Sequence, residues 1–123
     1  MTTTTAVPAV SGKGRSITLW ILSGLVALVF IAAGGAKLAG VPVMVEMFDK
    51  VGLGQWFRYF TALLEVAGAI GLLMSRYAFY AAVLLAIVMV GAIIAHVTVL
   101  GGSPAPAAGL LVLSAIIAYL RKA

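Results

Sequence analysis

The chain is organised around the run Tyr59-Phe-Thr-Ala-Leu-Leu-Glu65-Val-Ala-Gly-Ala-Ile-Gly-Leu-Leu-Met74, an apolar stretch with one carboxylate near its middle. An ionised carboxylate in hydrocarbon costs at least about 2.5–3.5 kcal/mol, even on the most lenient insertion scale. Glu65 must therefore be neutralised, hydrated or paired by another part of the chain. We interpret the remaining sequence as the shell that does this.

The composition indicates that lipid is the solvent for most of the surface. The chain has 123 residues, of which 64% are hydrophobic and 9% are charged, and its mean hydropathy is +1.23. A soluble domain has about 45–50% apolar and about 25% charged residues. We therefore predict one small all-α bundle embedded in a membrane. The absence of cysteine excludes a disulfide framework, thiol redox chemistry and cysteine-ligated metal.

Hydropathy divides the chain into a tail and four apolar segments. Residues 1–16 have no apolar periodicity and are predicted to form a disordered tail, whereas residues 17–123 form a single four-helix transmembrane domain. The four predicted helices cover approximately residues 17–36, 56–75, 78–100 and 104–120. The first is long enough to cross a bilayer core at about 1.5 Å per residue. A cleaved signal peptide is the alternative interpretation of that segment.

A short amphipathic helix is predicted between the first and second spanning helices. Gly40 and Pro42 end the first helix, and the segment 43–52 that follows is too short to span. Met44 and Phe48 belong to an apolar stripe with helical spacing, and the charged residues of the segment lie off that stripe. We interpret this helix as an interfacial anchor. A lid over a site is the alternative role of the stripe.

The basic residues predict the orientation of the four crossings. One side of the membrane receives the basic residues of the tail, the second connection and the C terminus, namely Lys13, Arg15, Arg76, Arg121 and Lys122. The opposite side receives both acidic residues of the interfacial helix. The positive-inside rule then predicts a multi-pass protein of the cell membrane with its N and C termini in the cytoplasm.

Three ionisable side chains on three helices are predicted to meet in the outer half of the bundle. Lys37 lies at the outer end of the first helix, while Glu65 and His96 lie about 13 Å and about 6 Å deep on theirs. An intramembrane ionisable group normally faces the bundle interior and has a partner. We therefore predict a Lys37–Glu65 ion pair with His96 as a third member. Arg58, two turns before Glu65 on the same helical face, is the competing partner.

A structural role remains an alternative for each of these residues. Glu65 is a register-fixing ion pair, a ligand or proton site, or a contact with a partner subunit. His96 is a packing residue or a proton relay, and Lys37 is a cluster member or simply extends to the interface. One histidine without cysteine is a poor transition-metal set, so no metal site is predicted. Small residues nearby, such as Gly34 and Ala92, allow close helix packing or leave room for a ligand.

Several segments, taken in order, resemble a known family. The similar stretches are Phe30-Ile-Ala-Ala-Gly-Gly-Ala-Lys37-Leu, Met47-Phe48, Gly52, Leu64-Glu65-Val-Ala-Gly68-Ala-Ile-Gly71-Leu-Leu and Ala92-Ile-Ile-Ala-His96. Over about residues 17–120 the chain is similar to the DoxX-like family of small four-helix membrane proteins. The resemblance implies an accessory role beside an oxidoreductase, because the family is named after a subunit associated with quinone-linked oxidation of sulfur compounds. Lys37, Glu65 and His96 are the site positions that it carries over, without a catalytic role.

The preferred functional hypothesis is a binding or accessory membrane protein that is not an enzyme on its own. Its polar cluster would hold a quinone-like or lipid-like molecule, or support a partner oxidoreductase in or at the membrane. No intrinsic cofactor is predicted. A catalytic subunit of a quinone-reducing complex and a small-molecule or proton transporter are the alternatives. Membrane lipid and a second copy of the chain are further candidate partners, whereas nucleic acid is not.

Overall fold

The fold consists of helices only. The computed structural model describes the backbone of residues 2–122 and the side chains of residue 14 and residues 16–122. Its helices are α1 (Thr2–Ala39), α2 (Pro42–Val51), α3 (Trp56–Leu72), α4 (Ala78–Ala95), a π-helical turn (His96–Leu100) that continues α4, and α5 (Ala105–Arg121). Since the described part of the chain has no strand, the prediction of an all-α fold is confirmed.

The four longer helices pack side by side, and α2 lies at one end of them. α1 contacts α3 and α5, and α4 contacts the same two helices, so each longer helix has two neighbours. α2 packs against α1, α3 and the π turn, and we call this end of the molecule the α2 end. The shared interior is largely apolar, and its fully buried side chains include Phe30, Leu72, Leu85 and Ile117, together with the two serines Ser23 and Ser114.

The outside of the helices is apolar, as contact with lipid requires. Segments Ser16–Ala39 and Ala78–Leu100 are long and apolar enough to cross a bilayer, with hydropathies of 2.3 and 2.7. Only 33% and 11% of their most apolar windows are buried, whereas the core helix of a soluble protein is mostly buried. α5 is apolar but shorter, and α3 carries two charged residues within its length. Four membrane crossings therefore stay a prediction.

The connection between α1 and α2 follows from Gly40 and Pro42, as the sequence predicts. Gly40 has a φ of +71°. Its N–H donates to the carbonyl of Lys37, and the Val41 N–H donates to the carbonyl of Ala36. These two bonds form a Schellman motif, in which glycine takes a left-handed conformation that side chains disfavour. Pro42 then begins α2, where its missing N–H sacrifices no helical bond.

The helices differ from their predicted bounds at several places, among them the start of α1 and the ends of α3 and α4. α1 begins at Thr2, where the sequence predicts a disordered tail over residues 1–16; a helix that is already nucleated gains one hydrogen bond per added residue. The division into a tail and a domain stays a prediction. α3 ends at Leu72 because residues 73–77 form successive turns. The α-helical part of α4 ends at Ala95, and the π turn completes the predicted segment.

Candidate functional site

α1 and α3 bring Lys37 and Glu65 into direct contact. The Nζ atom of Lys37 lies 2.8 Å from Oε1 of Glu65, and the two side chains are 12% and 3% exposed. Among the described side chains, this is the only acid–base pair within ion-pair distance. A buried carboxylate is strongly destabilising without a counter-charge. The lysine thus supplies the partner that the apolar surroundings of Glu65 demand, and the structure contains the ion pair predicted from the sequence.

Glycine at position 34 lets α1 approach α3 beside this ion pair. A Cβ atom on Gly34 would lie 2.7 Å from Cγ2 of Val66 and 3.1 Å from the carbonyl oxygen of Ala62. The first distance is shorter than side chains tolerate, and Ala62 is itself fully buried. Gly34 and Ala62 therefore serve close helix packing. For these two positions the structure decides between packing and room for a ligand, which the sequence left open.

Arg58 is buried, and it does not pair with Glu65 in the structure. Its Nη1 donates to the backbone carbonyl of Lys37, and its Nε donates to Oε1 of Gln55 at 2.7 Å. Its guanidinium also lies 4.4 Å from the centre of the Tyr59 ring. The last four carbonyls of a helix lack partners within the helix and attract cations. Arg58 therefore caps the C terminus of α1, which explains why the competing pair with Glu65 does not form.

Gln55 is a contact residue that the sequence analysis did not single out. Its Nε2 donates to the carbonyl of Val45 at 3.0 Å and to Oδ1 of Asp49 at 2.8 Å. Its Oε1 accepts the hydrogen bond from Arg58. Gln55 therefore holds α2 against the start of α3 and orients the arginine that caps α1. No periodicity marks such an amide, and only its place between two helices could have indicated it.

A cavity of about 580 Å³ adjoins the ion pair at the α2 end. Side chains from all four longer helices, from α2 and from the π turn line it. Its polar lining residues are Lys37, Thr61, Glu65, His96 and Thr98. The hydroxyls of both threonines donate to backbone carbonyls one turn earlier. Each hydroxyl can therefore only accept a hydrogen bond from a ligand. The ionisable lining residues are Lys37, Glu65 and His96, and the structure brings all three to one cavity.

α2 supplies an apolar wall of this cavity. The stripe predicted from the sequence lines it, with the residues Met44, Met47, Phe48 and Val51. Phe48 is buried, whereas the two methionines are half-buried. Methionine side chains are flexible and polarisable, so they adapt to irregular apolar shapes. The stripe faces the cavity in the structure, and its action as a lid stays a prediction.

His96 lines the cavity from the π turn without bonding to the ion pair. Its Nδ1 lies 3.1 Å from the carbonyl oxygen of Gly101, and among the described residues no hydrogen bond joins it to Lys37 or Glu65. His96 is thus a third member of the cavity lining but not of the contact itself. π-helical turns often occur at functional sites. This one ends α4 and adjoins α2.

The cavity is suited to an organic molecule. Its walls are largely apolar, and small-molecule sites are typically apolar clefts with a few convergent polar groups. Small residues on its lining, including Ala33 and Ala92, leave space there. Across the part of the chain that the structure describes, no three side chains of His, Cys, Asp or Glu are grouped to hold a metal ion.

The fold and the cavity define a small helical membrane protein with a buried ion pair beside an apolar cavity. Residues 21–119 match the sequence profile of the DoxX-like family, and the chain belongs to this family. It is also similar to the uncharacterized protein YdgD of Bacillus subtilis strain 168, with 41% identity over 73 residues. That match spans 55% of this chain and 64% of the relative. No solved structure matches the chain.

Proposed function

We propose that the protein binds one amphipathic molecule, quinone-like or lipid-like, in the cavity at the α2 end. The observation that carries this function is the arrangement of Lys37, Glu65 and His96 around one cavity of about 580 Å³ with apolar walls. Ligand sites commonly measure about 300–1,000 Å³ and combine apolar walls with few polar groups. The apolar part of the ligand would occupy the wall formed by α2, and its polar head would face the charged residues.

The ion pair prepares Lys37 to bind an oxygen of the ligand. The ammonium group of a lysine has three N–H donors. Glu65 lies within ion-pair distance of Nζ and occupies one side of this group. The carboxylate thereby holds the lysine at the cavity instead of letting it extend to the membrane surface. A preorganised donor loses less conformational freedom on binding, which raises affinity. Replacing Glu65 would release the lysine and lower the affinity for the ligand.

In this function the protein serves as an accessory subunit beside a partner oxidoreductase. Family membership supports such a role, and the cysteine-free sequence carries no flavin, haem or iron–sulfur motif of its own. The cavity would then store or present the ligand to a partner in or at the membrane. We place it in the outer half of the bilayer, with four crossings and both termini in the cytoplasm. The basic residues Arg76, Arg121 and Lys122, opposite the acidic α2, support this orientation.

Photo-crosslinking in membranes tests the proposed binding. A photoreactive alkyl-quinone should label the wild-type chain saturably, and excess unlabelled quinone should suppress the labelling. Glu65→Gln should lose most of the saturable labelling because it frees Lys37. Glu46→Gln is the matched control, since Glu46 is exposed on α2 and does not line the cavity. Equal saturable labelling of the wild type and Glu65→Gln would remove the proposed site.

A further inference from the structure

The imidazole of His96 is held on one side by the loop that follows the π turn. Its Nδ1 lies 3.1 Å from the carbonyl oxygen of Gly101. The Gly101 N–H in turn donates to the carbonyl of His96 at 3.0 Å, with Gly101 at a φ of +72°. A carbonyl oxygen only accepts hydrogen bonds. The proton of this contact therefore resides on Nδ1.

The other nitrogen of the ring is consequently an acceptor. A neutral imidazole carries a single N–H, so protonation at Nδ1 leaves a lone pair on Nε2. Within the described part of the chain, the only hydrogen bond of the His96 side chain is the one to Gly101. His96 lines the cavity, whereas Gly101 does not. Nε2 is thus the polar atom of the ring that remains for a molecule in the cavity.

Lys37 contributes a hydrogen-bond donor to the cavity, whereas Nε2 of His96 is an acceptor. Its ammonium group only donates, and it reaches the cavity from α1, whereas His96 reaches it from the π turn after α4. The hydroxyls of Thr61 and Thr98 already donate to backbone carbonyls. A polar head that satisfies both Lys37 and His96 must therefore accept at one point and donate at another.

We infer, on the basis of the proposed binding function, that the ligand head carries a hydroxyl group that donates to Nε2 of His96. Phenols, hydroquinones and long-chain alcohols have this donor, whereas quinones and ethers lack it. A quinone in the cavity would leave Nε2 without a partner. The cavity therefore selects the hydroxyl form of an amphiphile over its carbonyl or ether counterpart. The expected preference is about five- to tenfold, the effect of one net hydrogen bond.

Two compounds of nearly equal shape test this selectivity in the full chain. 4-Dodecylphenol has the donor and 4-dodecylanisole has a methyl ether in its place. Each would compete with a photoreactive alkylphenol for the wild-type protein in lipid nanodiscs. We expect the phenol to halve the saturable labelling at a concentration about five- to tenfold lower than the anisole. In His96→Phe the two compounds should compete alike, while Val97→Ala, at an exposed neighbouring position, should keep the preference.

The outcomes separate the selectivity from the binding function. Saturable labelling with equal competition by phenol and anisole in the wild type would overturn the role of the hydroxyl and leave binding intact. A preference that persists in folded His96→Phe would overturn the role of His96 itself. Absence of saturable labelling by the alkylphenol would overturn the selectivity, and absence of saturable labelling by the alkyl-quinone as well would overturn the binding function. If His96→Phe does not fold, the comparison of phenol with anisole in the wild-type protein decides alone whether the cavity prefers a hydroxyl group.

Discussion

At the scale of the residue, Glu65 depends on a single side chain from another helix. Its carboxylate is almost completely buried, and Lys37 is the basic side chain within ion-pair distance of it among the residues described. Arg58, which is also buried, is committed to the carbonyl of Lys37 and to Gln55. The ammonium group of Lys37 therefore neutralises Glu65, and the backbone carbonyl of Lys37 accepts a hydrogen bond from Arg58. Half-buried Lys37 and buried Arg58 thus have separate roles in this region.

The ion pair predicts unequal effects of its two single leucine variants. Lys37→Leu leaves an unpaired buried carboxylate, and we expect it to destabilise the protein by about 3–5 kcal/mol. Glu65→Leu should cost less, because a lysine freed near a helix end can extend to the interface. Thermal unfolding in detergent measures both, with exposed Lys50→Leu as the control. The double variant should melt above Lys37→Leu, whereas equal melting of the two single variants would contradict the pairing.

The cap on α1 predicts that a lysine cannot replace Arg58. A lysine keeps the charge but lacks the planar fork that donates to Gln55 and to the Lys37 carbonyl together. We expect Arg58→Lys to lower the unfolding free energy by about 1–3 kcal/mol, the usual effect of losing a buried charged hydrogen bond. Arg76→Lys, in the exposed turn after α3, should have almost no effect. Identical melting temperatures for Arg58→Lys and Arg76→Lys would refute the capping role.

Residue-level prediction from the sequence succeeds for the ion pair and fails for the arginine. A lone acid in an apolar run demands a partner, and counting helical rise places Lys37 in the same outer half of the bundle as Glu65. Whether Arg58 binds a carboxylate or a carbonyl depends on where α1 ends in space relative to α3. The sequence alone does not give the distance between the end of α1 and Arg58 on α3. The same holds for Gln55, whose contacts cross from one helix to another.

At the scale of the element, close approach of α1 and α3 is built on glycine. Gly34 faces Val66 and the backbone of α3, whereas a Cβ atom on its neighbour Gly35 would meet nothing within 4 Å. Further down α3, a Cβ atom on Gly68 would lie 2.6 Å from a methyl group of Leu85 on α4. Small residues are thus required only on the helix faces that touch, which is how helices associate in lipid.

These two adjacent glycines predict opposite outcomes for the same substitution. Gly34→Ala forces α1 away from α3, and we expect a loss of about 1–3 kcal/mol from overpacking. Gly35→Ala should be neutral or stabilising by up to about 1 kcal/mol, because alanine has the higher helix propensity. Thermal unfolding of the two variants under identical conditions provides the measurement. Equal destabilisation by both substitutions would show that the helix contact at Gly34 is not tight.

Element boundaries were predictable where single residues determine them. Gly40 and Pro42 end α1 and begin α2 for local reasons, and the apolar spacing identified the stripe on α2. Pro104 suits the first helical position, and Ser103 before it is a residue type typical of an N-cap. Its Oγ does accept the Ala105 N–H at 3.1 Å, but α5 begins one residue later, at Ala105. No residue pattern in the sequence predicts the π turn, because its hydrogen-bond register depends on contacts with the rest of the fold.

At the scale of the whole molecule, the cavity at the α2 end differs from a second depression at the opposite end. That depression lies between α3 and α4, has a volume of about 330 Å³ and is lined by Gly71, Tyr77 and Tyr80 among other residues. None of the described residues that line it is charged. An amphiphile held by its polar head should depend on Glu65 in the cavity at the α2 end, whereas a molecule that merely adheres to apolar surface should not depend on Glu65 at either place. The two depressions therefore provide an internal comparison.

The predicted orientation can be tested because the chain contains no cysteine. Single cysteines at Leu53, between α2 and α3, and at Arg76, between α3 and α4, would lie on opposite sides of the membrane if α3 crosses it. Both positions are exposed. A membrane-impermeant maleimide should label Leu53→Cys in intact cells and Arg76→Cys only after permeabilisation. Labelling of both in intact cells, or the reverse pattern, would contradict the predicted orientation.

Mapping where a bound amphiphile attaches is the sharpest test of a binding site at the α2 end. After photo-crosslinking the alkyl-quinone to wild-type protein, mass spectrometry of the peptides locates the adducts. We expect saturable adducts on the cavity wall at Met44, Met47 or Phe48, and their loss in Glu65→Gln. Adducts confined to Tyr77 and Tyr80 at the opposite end, or cavity adducts unchanged in Glu65→Gln, would contradict a binding site organised by the buried ion pair.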